Sequence, residues 1–358
     1  MASTFQGTGT KEFVEADLAI DGTAVASVGI RLKGNSTLGS LRRGTATGNN
    51  RGGAGPLGVA LSFDRPEQLP WLVSFDEFIK GQRYQDYEQI ALRPASGAGL
   101  AEALALKLVG VAGEPTQRSM YTTLTANGGS TLIRLVVEVP DSKYTDDNFK
   151  GDGVLYKALS SGTFRYLGDD PLSYASAFKQ ITNKNNHDLR PLIELLRWVT
   201  QSSDAEFAAH LADHVDVESF ARYAAIQDLL ANFDDMSGPG QNYYLWYGLD
   251  TSRFRVLSWD MNLAFGGLGR GGVAPAGGNF GGRGANPLKS RFLASSAFVA
   301  IRASARTEVG RAIYGSGAAA TELDALRTHL ASSDLIASAT LDSEASSLTS
   351  KIESLAAS

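Results

Sequence analysis

The 358-residue chain carries a formal net charge of -5, with 43% hydrophobic and 20% charged residues, a composition that supports one or two folded cores and argues against disorder. The acidic balance excludes a protein that works by neutralising nucleic-acid phosphates along a broad basic face. The absence of cysteine excludes disulfide frameworks, thiolate metal sites and cysteine nucleophiles.

The opening "MASTFQGTGTK" has neither the charged nor the apolar region of a signal peptide, and no apolar run reaches bilayer length, so the sequence as written is expected to be soluble, with a trimmed leader left open. "DLAIDGTAVASVGIRLKG" predicts a hairpin around "DGT", and "RSMYTTLTANGGSTLIRLVVEV" a second around "NGG". Between them the Gly- and Arg-rich "TLGSLRRGTATGNNRGGAGP" reads as a loop, followed by strands in "VALSFD" and "EQIALRP". "GLAEALALKLVGVAG" predicts a helix that turns Leu104, Leu108 and Val111 to one face and stops at Gly113.

Beyond about residue 138 helical patterns dominate, through "HDLRPLIELLRWVTQ", "DVESFARYAAIQDLLANF" and most of 287 to 357. The one clear β segment there is "QNYYLWYGLDTSRFRVLSWD", a hairpin turning at "GLDTS". The expected fold class is therefore α+β, with a β-rich part over 1–137 and a mostly helical part over 138–358.

The helix near 217 to 232, capped by Asp216, directs Phe220, Tyr223, Ile226 and Leu230 toward a core and ends in "NFDD". It thus delivers Asp234 and Asp235 at a helix C-terminus, where the macrodipole disfavours acids and a solvated charge is the less economical explanation. Asn242 opens the hairpin and Asp260 leaves it. An Asp and an Asn from one loop with a second Asp at a hairpin exit form an oxygen donor set suited to a hard divalent cation that also holds phosphate.

The blocks "VGIRLKGNSTL", "GLAEALALKLVGVAGEP", "LVVEVPD", "GVLYK", "LLANFDDMSGPGQNYYLWY", "FRVLSWDMNLAFG" and "NPLKSRFLASSAF" follow one another along nearly the whole chain. In this order they resemble the CotH (spore coat protein H) kinase family. The resemblance implies a bilobal, atypical protein-kinase-like fold, with the β-rich N-lobe at 1–137 and the helical C-lobe at 138–358. It also implies ATP and Mg2+ or Mn2+ as cofactors, a Ser or Thr hydroxyl on a protein as acceptor, and a bacterial secreted, cell-surface or spore-associated setting.

On that basis Asp234 resembles the catalytic aspartate, with Asp235 open to the same role because helix ends shift by a residue. Asp260 and Asn242 resemble the metal ligands. Glu102 resembles the helix glutamate that steadies a phosphate-gripping cation, for which Lys33, Arg93 and Lys157 are the candidates. The sequence departs from ordinary kinases in lacking a His-Arg-Asp run and a Val-Ala-Ile-Lys strand. Gly58 and Ala60 also stand where the family usually has basic residues.

A catalytically silent scaffold or surface-attachment module is the alternative to an active enzyme. No nucleic-acid partner is expected, and a monomer is. His210 and His214 have the spacing of a helical zinc pair, but Leu211 stands where a metalloprotease needs glutamate. "GLGRGG" fits a dinucleotide glycine pattern without the following helix, and the stretch 266–286 reads either as an activation-segment-like cover or as a plain surface insertion.

Overall fold

Two turns rich in left-handed residues set the register of the first sheet. Asp21 and Gly22 (φ 50° and 78°) join β1 (Val14–Ile20) to β2 (Thr23–Leu32), and Asn127 with Gly128 (φ 52° and 72°) lies in the connection from β5 (Ser119–Thr125) to β6 (Thr131–Glu138). Positive φ at both central residues matches the twist of the flanking strands, which is why Asp-Gly and Asn-Gly pairs signal hairpins. With β3 (Trp71–Ser74) and β4 (Gln89–Leu92) they form a six-stranded sheet in the order β1-β2-β3-β4-β6-β5, every neighbouring pair antiparallel.

The computed structural model describes residues 1–34, 36–41, 61–95, 97–266 and 286–357. They divide into two compact units. The first comprises Met1–Ala103, Gln117–Tyr144 and Arg327–Glu344; the second comprises Leu104–Thr116, Thr145–Leu326 and Ala345–Ser358.

The first unit holds the six-stranded sheet and α1 (Ala2–Thr8). Its core gathers Phe5, Val28, Leu32, Leu69, Val73 and Phe75. The strand expected in "VALSFD" is absent over its described part, where Leu61–Asp64 is irregular; the sheet instead uses Trp71–Ser74. All four residues of that strand are buried, so it shows none of the alternation that marks a half-exposed strand. The predicted helix is α2 (Leu100–Val111), closed by Gly113 at φ 80°. Leu104 and Leu108 are fully buried, whereas Val111, expected on the same face, is exposed at the helix end.

In the second unit β7 (Gly153–Ala158), β8 (Phe178–Gln180), β9 (Tyr243–Gly248) and β10 (Arg253–Ser258) make a four-stranded antiparallel sheet in the order β10-β9-β7-β8. The expected hairpin is present, with Gly248 opposite Arg253 and Tyr243 opposite Ser258. It is not alone, because β7 pairs along β9, Val154 facing Tyr247 and Tyr156 facing Leu245. A six-residue apolar run such as "GVLYKA" has too short a period to be told from a helix segment.

The remaining α-helices among the described residues are α3 (Ser142–Asn148), α4 (Arg190–Gln201), α5 (Asp204–His214), α6 (Val217–Leu229), α7 (Pro287–Ala294), α8 (Val299–Gly310), α9 (Ala318–Ala331) and α10 (Ser338–Ala356). Asp216 caps α6 by accepting from the Ser219 N–H, and Phe220, Tyr223, Ile226 and Leu230 are buried as their spacing predicts. Beside it Glu114 accepts from Ser219 Oγ (2.9 Å) and Arg222 Nε (3.1 Å) and lies 3.5 Å from Arg255 Nη2, tying α6 to β10. Burial pushes the Glu114 carboxyl up, and Arg255 opposes that shift. The architecture is thus α+β, and among the described residues no helix is long and apolar enough to cross a membrane.

Candidate active site

Just past α6 the backbone leaves helical geometry at Ala231 (φ 46°). The next residue, Asn232, is buried and donates to Gln227 Oε1 at 2.7 Å, while Gln227 Nε2 donates to Ser258 Oγ at 2.8 Å. That amide relay joins the end of α6 to the last residue of β10. A second connection runs from the segment after Asp260, where the Phe265 and Gly266 N–H groups donate to the Leu230 and Ala231 carbonyls. The two turns that carry Asp234 and Asp260 are thereby fixed to one another.

Asp234 is held by two donors: the Gly240 N–H reaches Oδ1 at 2.6 Å and Asn242 Nδ2 reaches Oδ2 at 3.0 Å. Burial is the largest influence on its carboxyl and pushes the pKa up to about 6; the Gly240 bond opposes this, the charges of Asp260 and Asp235 reinforce it, and the Asn242 bond opposes it again. Asp234 and Asn242 are therefore in contact, and Asp260 is near enough for its charge to act on the Asp234 carboxyl. The loop between them owes its tightness to glycine. A Cβ on Gly240 would stand 2.6 Å from Asp234 Oδ2 and 2.7 Å from Asn242 Nδ2, and a Cβ on Gly238 would fall 2.6 Å from Asp234 Oδ1.

Asp235 faces other partners. Lys289, in the first turns of α7, donates to its Oδ2, and the Ser237 N–H donates to Oδ1 at 2.8 Å. Its backbone carbonyl accepts from Gly238 and Asn242, and the following Met236 N–H donates to Tyr223 Oη at 3.1 Å. Asn286, the cap of α7, donates to the Met236 carbonyl and accepts from the Leu288 and Lys289 N–H groups. Asp235 is thus the strut of the loop, with a dedicated cation, and Asp234 is the carboxylate pushed toward neutral pH.

Asp260 sits at φ 54° and ψ 57° and makes no capping bond to the 3-10 turn Met261–Leu263 that follows, so a capping role does not account for it. Its neighbour Trp259 lies under Lys157, whose Nζ is 4.8 Å from the Trp259 ring centroid and 5.4 Å from that of Tyr244. Lys157 on β7 is therefore one residue from Asp260 in this network. Oxygen donors on Asn242 and Asp260, beside a carboxylate whose ionisation is opposed by neighbouring negative charge, have the chemistry that a hard divalent cation satisfies. Among the described residues no group of three His, Cys, Asp or Glu side chains is arranged to hold a metal.

In the first unit, Glu102 in the opening turn of α2 forms an ion pair with Arg93, which follows β4; their side chains are 6% and 12% exposed. Arg134 on β6 is fully buried and donates from Nε to the Arg93 carbonyl at 2.7 Å, from Nη2 to that of Leu69 at 2.7 Å, and from Nη1 to that of Glu67. Desolvation lowers its guanidinium to about 10. Arg93, one of the three candidate cations, is thus bonded to Glu102. Lys33 follows β2, its backbone N–H donating to the Pro70 carbonyl at 3.0 Å.

Residues 30–331 match the family described as CotH kinase protein. The chain belongs to the CotH kinase protein family. It is accordingly a kinase-like protein. It is also similar to the inner spore coat protein H of Bacillus subtilis (strain 168), 24% identical over 168 residues, an overlap of 46% of this chain and 45% of that protein. The chain thus spans under half the length of that relative. A solved chain of the Shewanella oneidensis MR-1 toxin-antitoxin complex of HipA, HipB and operator DNA superposes with a TM-score of 0.37 at 11% identity, covering 74% of this chain and 57% of that one.

Within this CotH kinase chain several supporting residues escape sequence reasoning. Lys289 lies more than fifty positions from its partner Asp235 and carries no local signal. Arg134 reads as an ordinary strand residue. Gly238 and Gly240 form "GPG" between the acids and Asn242, and this glycine pair is the local signal that could have marked the close approach. The zinc-pair spacing at His210 and His214 serves other contacts, His210 with Asp213 and His214 against the Trp198 ring. The "GLGRGG" motif, Gly58, Ala60 and all but the ends of 266–286 lie outside the described residues.

Proposed function

We propose that this CotH kinase protein transfers the γ-phosphate of ATP to a Ser or Thr hydroxyl on a protein acceptor. The observation that carries the reading is Asp234: gripped by Gly240 and Asn242, beside Asp260, with a pKa raised to about 6. A base titrating just below neutral pH is ionised at working pH and still accepts a proton well. As the acceptor oxygen bonds to the γ-phosphorus and the bond from phosphorus to the bridging oxygen of ADP breaks, the hydroxyl proton passes to Asp234 Oδ. Asp235 shares in catalysis by holding the loop through Lys289.

Asn242 and Asp260 would hold Mg2+ or Mn2+, which when bound supplies positive charge against the phosphates. Arg93, steadied by Glu102, is the phosphate-gripping cation; Lys33 and Lys157 are assigned to the nucleotide as additional positive charge. The same reading takes 1–137 as the N-lobe and 138–358 as the C-lobe of a bilobal kinase. It places the protein in a coat or surface setting like its Bacillus subtilis relative, acting as a monomer.

Purified protein incubated with labelled ATP and Mg2+ or Mn2+ is expected to transfer label to itself or to a serine-rich acceptor. Asp260→Ala is expected to lower transfer by at least about 100-fold. Transfer that survives in that variant would overturn the assignment. Absence of any thermal shift with millimolar ATP and metal would favour the silent scaffold instead.

A further inference from the structure

The ion pair between Arg93 and Glu102 is fastened from two sides within the first unit. Arg134 holds the backbone of Arg93 through its carbonyl. The second fastening comes from α10. Glu344 on α10 accepts the Ala98 N–H at 2.7 Å, two residues before α2, whose opening turn carries Glu102. Helix N-termini favour negative charge, so a carboxylate placed there both satisfies the Ala98 donor and complements the dipole.

The approach is specific. Gly97 is at φ 77°, and a Cβ there would overlap Glu344 Oε1, so the glycine makes room for this carboxylate. The part of α10 that bears Glu344 is itself anchored. Arg327 near the end of α9 pairs with Asp342 at 2.7 Å, and the His329 ring lies 6.4 Å from that of Tyr121 on β5.

We propose that Glu344 is a positioning residue: from α10 it fixes the start of α2, and through that turn the hold of Glu102 on Arg93. What Arg93 does with a nucleotide rests on the kinase reading; the fixing of the pair does not. Glu344→Leu removes the acceptor, Gly97→Ala displaces it, and Glu344→Gln keeps an amide oxygen in the same place.

Steady-state kinetics are expected to show KM for ATP rising about tenfold in Glu344→Leu and Gly97→Ala, with kcat within about threefold and Glu344→Gln near wild type. Amide hydrogen exchange over residues 98 to 103 is expected to accelerate in the first two variants alone. A thermal-unfolding cycle without nucleotide, combining Glu344→Leu with Glu102→Gln, is expected to be non-additive. Gly97→Ala supplies the same cycle where Glu344→Leu does not fold.

An additive cycle with unchanged exchange overturns the proposal. If the wild-type protein binds no ATP, the kinase reading falls, while the cycle still decides the role of Glu344.

Discussion

Lys289 donates to Asp235 in a buried ion pair whose side chains are 17% and 3% exposed, one residue away from a carboxylate held by the Gly240 N–H and the Asn242 amide. Adjacent acids are thereby given different work by a residue that arrives on α7. Removing one member of such a pair strands the other charge without solvent. Lys289→Met is expected to destabilise the protein by about 3–5 kcal/mol, and Asp235→Asn combined with Lys289→Met to recover a large part of the loss. Urea unfolding of the set checks this; equal midpoints for Lys289→Met and wild type would refute it.

Asp234 makes stability depend on pH with a definite sign. Its folded pKa of about 6 lies above the ordinary value near 3.9, so the favourable contribution of its protonated form is complete below about pH 3.9 and lost as pH rises through 6. Asp234→Asn escapes that loss. In chelator-containing buffer the variant is expected to be more stable than wild type at pH 8 by about 1–2 kcal/mol, the gap closing toward about pH 4. Thermal melts across this range test it, and a gap that widens toward acid pH would contradict it.

Gly240→Ala puts a methyl group between Asp234 and Asn242, with both side chains within 2.7 Å. The two side chains must separate. Phosphate transfer is expected to fall by about 100-fold, since misplacement of reacting groups by about 1 Å has that effect, while circular dichroism remains native. Wild-type turnover in Gly240→Ala would show that this contact is dispensable.

Arg134 donates to the carbonyls of Glu67, Leu69 and Arg93 from a fully buried position. Arg134→Met fills the space but orphans those carbonyls. An expected loss of about 3–5 kcal/mol follows, measurable by urea unfolding, and Arg134→Lys is expected to recover only part of it because one ammonium cannot match the guanidinium fork. A loss under about 1 kcal/mol would mean that the carbonyls find other donors.

Local chemistry made the hairpins and capped helices legible. Asp-Gly and Asn-Gly turns, the Asp216 cap and the apolar stripe of α6 each announce themselves within a few residues. The four oxygen-bearing residues Asp234, Asp235, Asn242 and Asp260 were legible for a related reason, since each sits beside the end of an element whose type the pattern gave. What stayed hidden was either short or distant. Trp71–Ser74 is buried on all sides, β7 is a brief apolar run, and Lys289, Arg134 and Glu344 act on partners reached only through the tertiary fold. The pairing of Arg93 with Glu102 is a tertiary contact of the same kind.

Asp260 occupies a left-handed backbone position, φ 54° and ψ 57°, where aspartate is tolerated and glycine would be more at ease. If Asp260 holds the metal as proposed, the backbone's ease with glycine and the chemistry's need for a carboxylate pull this position in opposite directions, so a diverged copy with glycine here is expected to lack phosphate transfer.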